Sequence, residues 1–255
     1  MTTWDPTQYL RFGNERLRPA MDLIERISLE APSVVYDLGC GTGNATVILK
    51  GRWPLARVTG VDGSSEMLAQ ARSRGGGIAW MRADLNTWEP DEQCDLLFSN
   101  AAFQWLGGHE ELFPRLLGYL KPEGALAVQM PNNFGAPTHT TVVETVERGL
   151  WRDKLESHLL KRPVLEPGAY YDVLRGSAAS VDMWETTYYH VLQGEDPIVE
   201  WTKGSFLRPL LAQLDEKESK EFLEEYAARV RGFYSRRPDG TTVMEFKRLF
   251  FIAVR

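Results

Sequence analysis

The sequence has 255 residues, is 43% hydrophobic and 25% charged, and carries a formal net charge of −6. That length and apolar content predict a globular protein with one substantial core, and the acidic balance leaves no broad basic footprint for nucleic acid. Two cysteines, Cys40 and Cys94, are too few for a disulfide framework, no apolar run reaches the roughly 18 residues that span a bilayer, and Met1-Thr2-Thr3-Trp4 opens without a charged-then-apolar leader. A cytoplasmic protein with no membrane role is expected.

Leu17, Met21, Ile24 and Ile27 recur at helical spacing, and Pro32 closes that segment. Ser33 to Leu38 is short and apolar, as a strand buried on both faces of a parallel sheet would be, and it runs straight into Gly39-Cys40-Gly41-Thr42-Gly43. Val47-Ile48-Leu49 start a helix ending near Trp53-Pro54, and Arg57 to Val61 reads as a second strand, ending at Asp62. A helix capped by Ser64 or Ser65 and stopped by Gly75-Gly76-Gly77 precedes a third strand, Ile78 to Arg82, with Asp84 just past it. Cys94 to Ser99 is a fourth strand, Leu112 to Leu120 a helix, and Ala125 to Met130 a fifth strand. Alternation this regular predicts an α/β fold with a doubly wound, mostly parallel sheet.

After Met130 the rhythm changes, with Pro131, Pro137, Pro163 and Pro167 and a helical stretch from Val142 to Leu160. Val181 to Leu192 reads as a sixth strand. Asp215 with Glu218 forms a possible capping box for a helix that places Phe222, Tyr226, Val230 and Phe233 on one face, and Met244 to Val254 is the last strand. The expected organisation is an N-terminal lid and helix (1–30), a core (31–131), a cap segment (132–180), a core strand (181–192), an inserted helical cap (193–240) and a final core strand (241–255).

In an open parallel sheet, ligands sit beyond the carboxyl ends of the strands, beside the first turn. Gly39, Gly41 and Gly43 lie at that turn, where a backbone approaching a ligand has no room for a Cβ and adopts positive φ. The spacing is G-x-G-x-G, not the G-x-G-x-x-G of nicotinamide dinucleotide sites, and Asp37 precedes it by two residues. A carboxylate there suits S-adenosylmethionine, which has no pyrophosphate but carries an α-ammonium and a sulfonium. Asp62 is placed to accept both ribose hydroxyls, and Asp84-Leu85 to bracket the adenine. Met67, at the start of the following helix, joins this set.

With those residues in place, the sequence from Val34 to Met130 resembles the seven-stranded class of S-adenosylmethionine-dependent methyltransferases. Further segments resemble the branch of that class that methylates trans-aconitate: Trp4-Asp5-Pro6, Tyr9-Leu10, Phe12, Glu15-Arg16, Asn100 to Leu106, Ala127 to Pro131, Pro137-Thr138-His139, Tyr170-Tyr171-Asp172, Trp184 to His190 and Leu207-Arg208-Pro209. The resemblance implies a Rossmann-like sheet of seven strands whose last strand is antiparallel. It also implies methyl transfer from S-adenosyl-L-methionine to one carboxylate, giving a monomethyl ester and S-adenosyl-L-homocysteine.

Enzymes of this class that methylate amide or base nitrogens carry an Asn/Asp-Pro-Pro-aromatic turn after strand four, whereas this sequence has Asn100-Ala101-Ala102-Phe103. Asn100, Phe103, Gln104 and Trp105 can still line the cofactor and the methyl path, with Trp4, Tyr9 and Phe12 as a lid. A carboxylate acceptor, with a pKa of about 4, is already ionised at neutral pH, so no general base, catalytic triad or metal is expected; the four histidines show no paired ligand spacing. A polycarboxylate does need cations. Arg16, Arg18, Lys203, Arg208 and Arg248 are the candidates, Arg16 and Arg208 the preferred pair, with His139, Tyr170, Tyr171 and Tyr188 as hydrogen-bonding residues that could equally serve the core. No obligate protein partner is expected. Three alternatives remain open: another small or carrier-bound acid as acceptor, a non-catalytic S-adenosylmethionine-binding protein, and a nicotinamide dehydrogenase.

Overall fold

The computed structural model describes residues 13–159 and 164–255, with the side chains of its first helix from Leu17 onward. In chain order the elements are α1 (Gly13–Arg26), β1 (Val34–Leu38), α2 (Asn44–Arg52), β2 (Arg57–Asp62), α3 (Ser65–Arg72), β3 (Ala79–Arg82), β4 (Cys94–Asn100), α4 (His109–Gly118), β5 (Leu120–Pro131), α5 (Pro137–Arg148), α6 (Arg152–Leu155), α7 (Pro167–Leu174), β6 (Ser180–Gln193), α8 (Pro197–Lys203), α9 (Arg208–Leu211), α10 (Glu216–Val230) and β7 (Thr241–Val254). The strands form a seven-stranded sheet in the order β3-β2-β1-β4-β5-β7-β6. Pairs β1–β2, β2–β3, β1–β4 and β4–β5 are parallel, and β5–β7 is antiparallel, with Ala127 opposite Ile252. The fold is therefore the doubly wound α/β sheet expected from the sequence, its order reversing between β1 and β4.

All five residues of β1 are buried, which is why an uninterrupted apolar run codes this strand. Its amino end is fastened by Asp95, whose Oδ2 accepts from the Ser33 N–H, the Ser33 hydroxyl and the Val34 N–H, while Lys121 Nζ lies 2.9 Å away. These anchors sit at the end of the sheet opposite the glycine turn, so β1 delivers that turn from a fixed base.

By contact density the chain divides into two compact units. The first comprises Gly13–Pro131, the described part of Pro163–Thr186, and Arg248–Arg255; the second comprises the described part of Asn132–Arg162 and Thr187–Lys247. The second has its own apolar core, in which Val142, Val146, Trp151, Leu155, Trp201, Phe222, Tyr226, Val230 and Met244 are buried together.

Several elements differ from the sequence reading. The helix expected over 142–160 begins at Pro137 and stops at Arg148. Gly149 is extended there; a Cβ on it would meet the Thr145 carbonyl at 2.6 Å and the Trp151 ring at 2.7 Å, so its bare backbone lets Trp151 turn in against Phe222. Strand β5 starts five residues before Ala125: Leu120 pairs with Cys94, and the register then shifts to Ala125 opposite Leu96, leaving the Lys121–Gly124 turn as an irregularity inside the strand. The Asp215–Glu218 capping box forms in both directions, at 2.8 and 3.1 Å. Phe222, Tyr226 and Val230 are buried on one face of α10, but the helix ends at Val230 and Phe233 is 62% exposed. Residues 164–180, grouped by their prolines with the cap, belong to the first unit, where α7 packs on α4.

Candidate active site

The turn after β1 is held from below by β2. The Gly39 and Cys40 N–H groups both donate to the Val61 carbonyl, at 2.8 and 3.0 Å, and the Gly43 N–H donates to the Cys40 carbonyl. All three glycines have positive φ, of 77°, 54° and 78°. They are not equivalent. A Cβ on Gly39 would collide with the Ala102 side chain, in the turn after β4, and would come 3.8 Å from Leu85 Cδ1. A Cβ on Gly43 would strike the Trp80 ring of β3, which also covers Gly60. Only Gly41 has nothing within 4 Å. At Gly39 and Gly43 a side chain is excluded by packing, and Gly41 is the one whose missing side chain leaves open space.

Three acceptors gather around this turn. Asp62, at the end of β2, receives the Gly41 N–H on Oδ2 and the Ser64 N–H on Oδ1, both at 2.8 Å, so each oxygen keeps a lone pair for a further donor. Asp37 is 1% exposed and accepts from the Thr46 hydroxyl of α2 at 2.6 Å. Burial pushes its pKa up to about 7, aided by the Asp62 charge and opposed by the Thr46 bond. Asn100, at the end of β4, has a buried Oδ1 with no hydrogen-bond partner among the described residues. Gly43, as N-cap of α2, provides no side-chain cap, so the first turn of that helix is open to an anion. A group rich in donors, with an ammonium, two vicinal hydroxyls and one carboxylate, matches this set; the residues fit S-adenosylmethionine.

The other residues singled out in the sequence fall variously. Asp84 is exposed and forms a tight turn with Asn86, whose backbone and side-chain nitrogens lie 3.0 and 2.8 Å from Oδ1; the Asn86 N–H bond, then the side-chain bond, lower its pKa. Met67 is buried at the start of α3, and its N–H is capped by the Ser64 hydroxyl. Trp105 is partly exposed at the end of the 3-10 turn Phe103–Trp105, whereas Phe103 is 0% exposed and lies edge-on to Phe113 at 5.4 Å. Phe103 is a core residue, correcting its expected place along the methyl path. Tyr170 is likewise fully buried, its hydroxyl 2.6 Å from His109 Nδ1, so it has no surface for an acceptor; its neighbour Tyr171 is exposed. Trp4, Tyr9 and Phe12 lie outside the described residues, as does the Arg16 side chain.

Among the cations, Lys203 is paired with Glu200 at 2.9 Å and Arg18 is exposed. Arg248 is 4% exposed and reaches Gln129 Oε1 at 3.4 Å in the first unit. Arg208 is half-buried at the start of α9, in the second unit. His139 belongs to that unit too, stacked on Phe206 at 4.2 Å with its Nδ1 3.0 Å from the Thr138 hydroxyl; burial lowers its pKa to about 4, leaving a neutral ring at pH 7. Tyr188 is buried and stacked with His190. Sequence reasoning missed Ala102, Trp80 and His109. Trp80 was discoverable only through register, because it lies opposite Gly60 across β2–β3. Among the described residues, no group of three or more His, Cys, Asp or Glu is arranged to hold a metal.

Comparison with known proteins supplies the lineage. A methyltransferase-domain family model matches residues 35–124. Over the full length of both chains, the sequence is 44% identical to the trans-aconitate 2-methyltransferase of Rhodopseudomonas palustris and 45% identical to that of Azoarcus. The Escherichia coli O1:K1 enzyme of the same name is 42% identical over 100% of this chain and 99% of its own. The chain belongs to the trans-aconitate 2-methyltransferase family. It is an S-adenosylmethionine-dependent methyltransferase by that descent. Solved structures agree on the fold: Bacillus subtilis YcgJ aligns with TM-score 0.62 at 13% identity over 93% of this chain and 98% of that one. Haemonchus contortus phosphoethanolamine N-methyltransferase 2, solved with S-adenosyl-L-methionine, aligns with TM-score 0.60 at 16% identity over 98% and 56%. Within the trans-aconitate 2-methyltransferase family, then, the first unit's strand-end turn is the natural place to look for the methyl donor.

Proposed function

We propose that this chain transfers the methyl group of S-adenosylmethionine to one carboxylate of trans-aconitate, releasing a monomethyl ester and S-adenosylhomocysteine. The observation that carries the reading is full-length identity of 42–45% to relatives bearing that name. The donor-accepting geometry at the glycine turn supports the cofactor half. Asp62 takes the ribose hydroxyls, Asp37 and Asn100 face the ammonium, Gly41 lets the backbone approach, and Leu85 with Met67 flanks the base beside Asp84. When bound, the cofactor supplies an electrophilic methyl on a sulfonium.

Acceptor ionisation needs no help from the protein, since a carboxylic acid of pKa about 4 is already an anion at neutral pH. His139 is neutral and His109 has both ring nitrogens engaged, so neither is assigned a proton-transfer role. The chain's work is to hold the anion in line and exclude water, for which orientation alone can supply roughly 7–11 kcal/mol. Arg208 is the preferred carboxylate ligand, with Arg16 and Arg248 as further candidate cations and Tyr171, Tyr188 and His139 as candidate hydrogen-bonding residues. A small polycarboxylate, without nucleic acid, membrane or obligate protein partner, is the whole requirement. Both cysteines are buried and unpaired, in keeping with a cytoplasmic setting. No helix among the described residues is long and apolar enough to cross a membrane.

The test is a labelled-methyl transfer assay across trans-aconitate, cis-aconitate, isocitrate and citrate. Esterification of trans-aconitate above the others is expected. Transfer confined to another acid would overturn the acceptor, and cofactor binding with no transfer to any acid would overturn the catalytic reading.

A further inference from the structure

Behind the turn that follows β4, four groups form one directed hydrogen-bonded chain. Tyr170, on α7, and His109, the first residue of α4, are both buried. The Tyr170 hydroxyl is 2.6 Å from His109 Nδ1, and His109 Nε2 is 3.0 Å from the Phe103 carbonyl oxygen. A carbonyl only accepts, so Nε2 carries the hydrogen and Nδ1 accepts from the tyrosine hydroxyl. That hydroxyl oxygen in turn accepts from the Leu165 N–H at 3.1 Å. Every donor therefore points the same way, from Leu165 through Tyr170 and His109 to Phe103. Burial lowers the His109 pKa, against the Phe103 hydrogen bond, and keeps the ring in the neutral form this chain requires.

Packing alone does not explain these polar groups. Tyr170 meets Phe113 and Phe251 at 5.6 and 5.7 Å, and Phe103 meets Phe113 at 5.4 Å, so an aromatic frame already surrounds the site. Burying a hydroxyl and an imidazole there carries a desolvation cost that phenyl rings would avoid. What the polar chain adds is direction: it gives the Phe103 carbonyl, which also accepts from the Leu106 N–H at 2.9 Å, a second donor from outside its own turn. Phe103 adjoins Ala102, whose Cβ abuts Gly39, and Ala101 stands at φ 55°, a strained setting for a residue with a Cβ.

We propose that His109 and Tyr170 are positioning residues for methyl transfer, holding the Phe103 carbonyl and through it the Ala101–Ala102 backbone beside the glycine turn. This rests on the methyltransferase reading above. Neither side chain touches the reacting atoms. The glycine turn has its own ties to Val61 and Asp62, and Asn100 is held by its pairing with Gln129 of β5, so losing the relay falls on turnover and leaves cofactor affinity nearly intact.

The test compares Tyr170→Phe, His109→Asn and His109→Gln for kcat, acceptor KM and S-adenosylhomocysteine affinity, using whichever acid the wild-type enzyme esterifies. An error over the acceptor then appears as a change of acid and not of variant pattern. A glutamine amide places its nitrogen near the position of His Nε2 and keeps the donation to Phe103, whereas asparagine does not reach it. Tyr170→Phe and His109→Asn should lower kcat about tenfold to a hundredfold, His109→Gln about threefold, with cofactor affinity within about twofold throughout. Equal losses for the two His109 variants, or affinity falling in step with kcat, would overturn the proposal. Nitrogen-15 NMR of the wild-type imidazole decides it independently of how the variants fold: the Nε2–H tautomer is expected, and an Nδ1–H tautomer or an imidazolium at pH 7 refutes the relay.

Discussion

The glycine turn at 39–43 and the aromatic cluster around His139 are made of different material. At the turn, the polar partners are mainly backbone: Val61 receives two N–H groups, and Asp62 joins Gly41 to Ser64. Around His139 the contacts are mainly made by side chains, some near and some far along the chain: Phe206 stacks on the ring, Phe134 lies at 5.4 Å, and the Tyr226 hydroxyl donates to the Thr138 carbonyl from 88 positions away. A backbone-built site tolerates little change in φ or in Cβ volume but is indifferent to many side chains. A side-chain-built one can be re-cut for a new ligand without disturbing the fold. The first arrangement suits a donor common to a large enzyme class, and the second is where the role proposed for His139 toward the acceptor is to be tested.

The largest effects should separate the glycines of the turn by what each one avoids. Gly39→Ala combines positive φ with collision against Ala102 and should destabilise the fold by about 2–5 kcal/mol, read as a fall in Tm. Gly41→Ala, with nothing within 4 Å, should cost only about 1–2 kcal/mol in stability while weakening S-adenosylhomocysteine binding at least about tenfold. Equal loss of Tm in the two variants would break the distinction between packing glycine and ligand-facing glycine. Next in size, Asp62→Ala removes an acceptor of two backbone N–H groups together with the proposed ribose contact. Affinity measured by calorimetry should drop about tenfold to a hundredfold. Unchanged affinity would take Asp62 out of the site.

That difference in material also governs what could be read from the amino-acid sequence. The order of strands and helices through Met130 is legible because β1 and β4 are buried apolar runs and the helices between strands carry cap and stop signals, although β3 is a partly exposed edge strand and no helix separates it from β4. The turn was legible because its constraint is local, in φ and in Cβ volume. The distinct jobs of Gly39 and Gly43 were not, since Ala102 and Trp80 reach them only through β4 and the β2–β3 register. Phe103 and Tyr170 looked like ligand-facing aromatics, and what makes them core is the meeting of α4 with α7, a contact no spacing along the chain encodes. Gly149 lies inside the helical stretch expected from Val142 to Leu160, and a glycine in such a pattern is a warning of a stop.

Smaller effects are expected on the acceptor side. Arg208→Ala should raise the acceptor KM about tenfold and leave cofactor affinity within about twofold, because a guanidinium contributes a charge-assisted contact to the anion alone. Steady-state kinetics with calorimetry checks it. The reverse pattern would refute the assignment and blur the contrast between the two regions.

The smallest and most diagnostic effect belongs to Asp37. Its carboxyl is raised to about 7, by burial first, with the nearby Asp62 charge adding and the Thr46 hydroxyl opposing. An acid whose folded pKa exceeds its unfolded value contributes stability that is fully present below the unfolded value near 4 and lost as pH climbs through 7. A ligand ammonium beside it reverses the preference, because it interacts better with the ionised carboxylate. S-adenosylhomocysteine affinity should therefore rise about threefold to tenfold from pH 6 to pH 7.5, short of the range near 8 where the ligand's own amine loses its proton. Asp37→Asn should flatten that slope while lowering affinity at the upper end, since the amide neither titrates nor supplies a charge. A slope that survives in Asp37→Asn would show that a different titrating group reads the ammonium, and would take Asp37 out of that role.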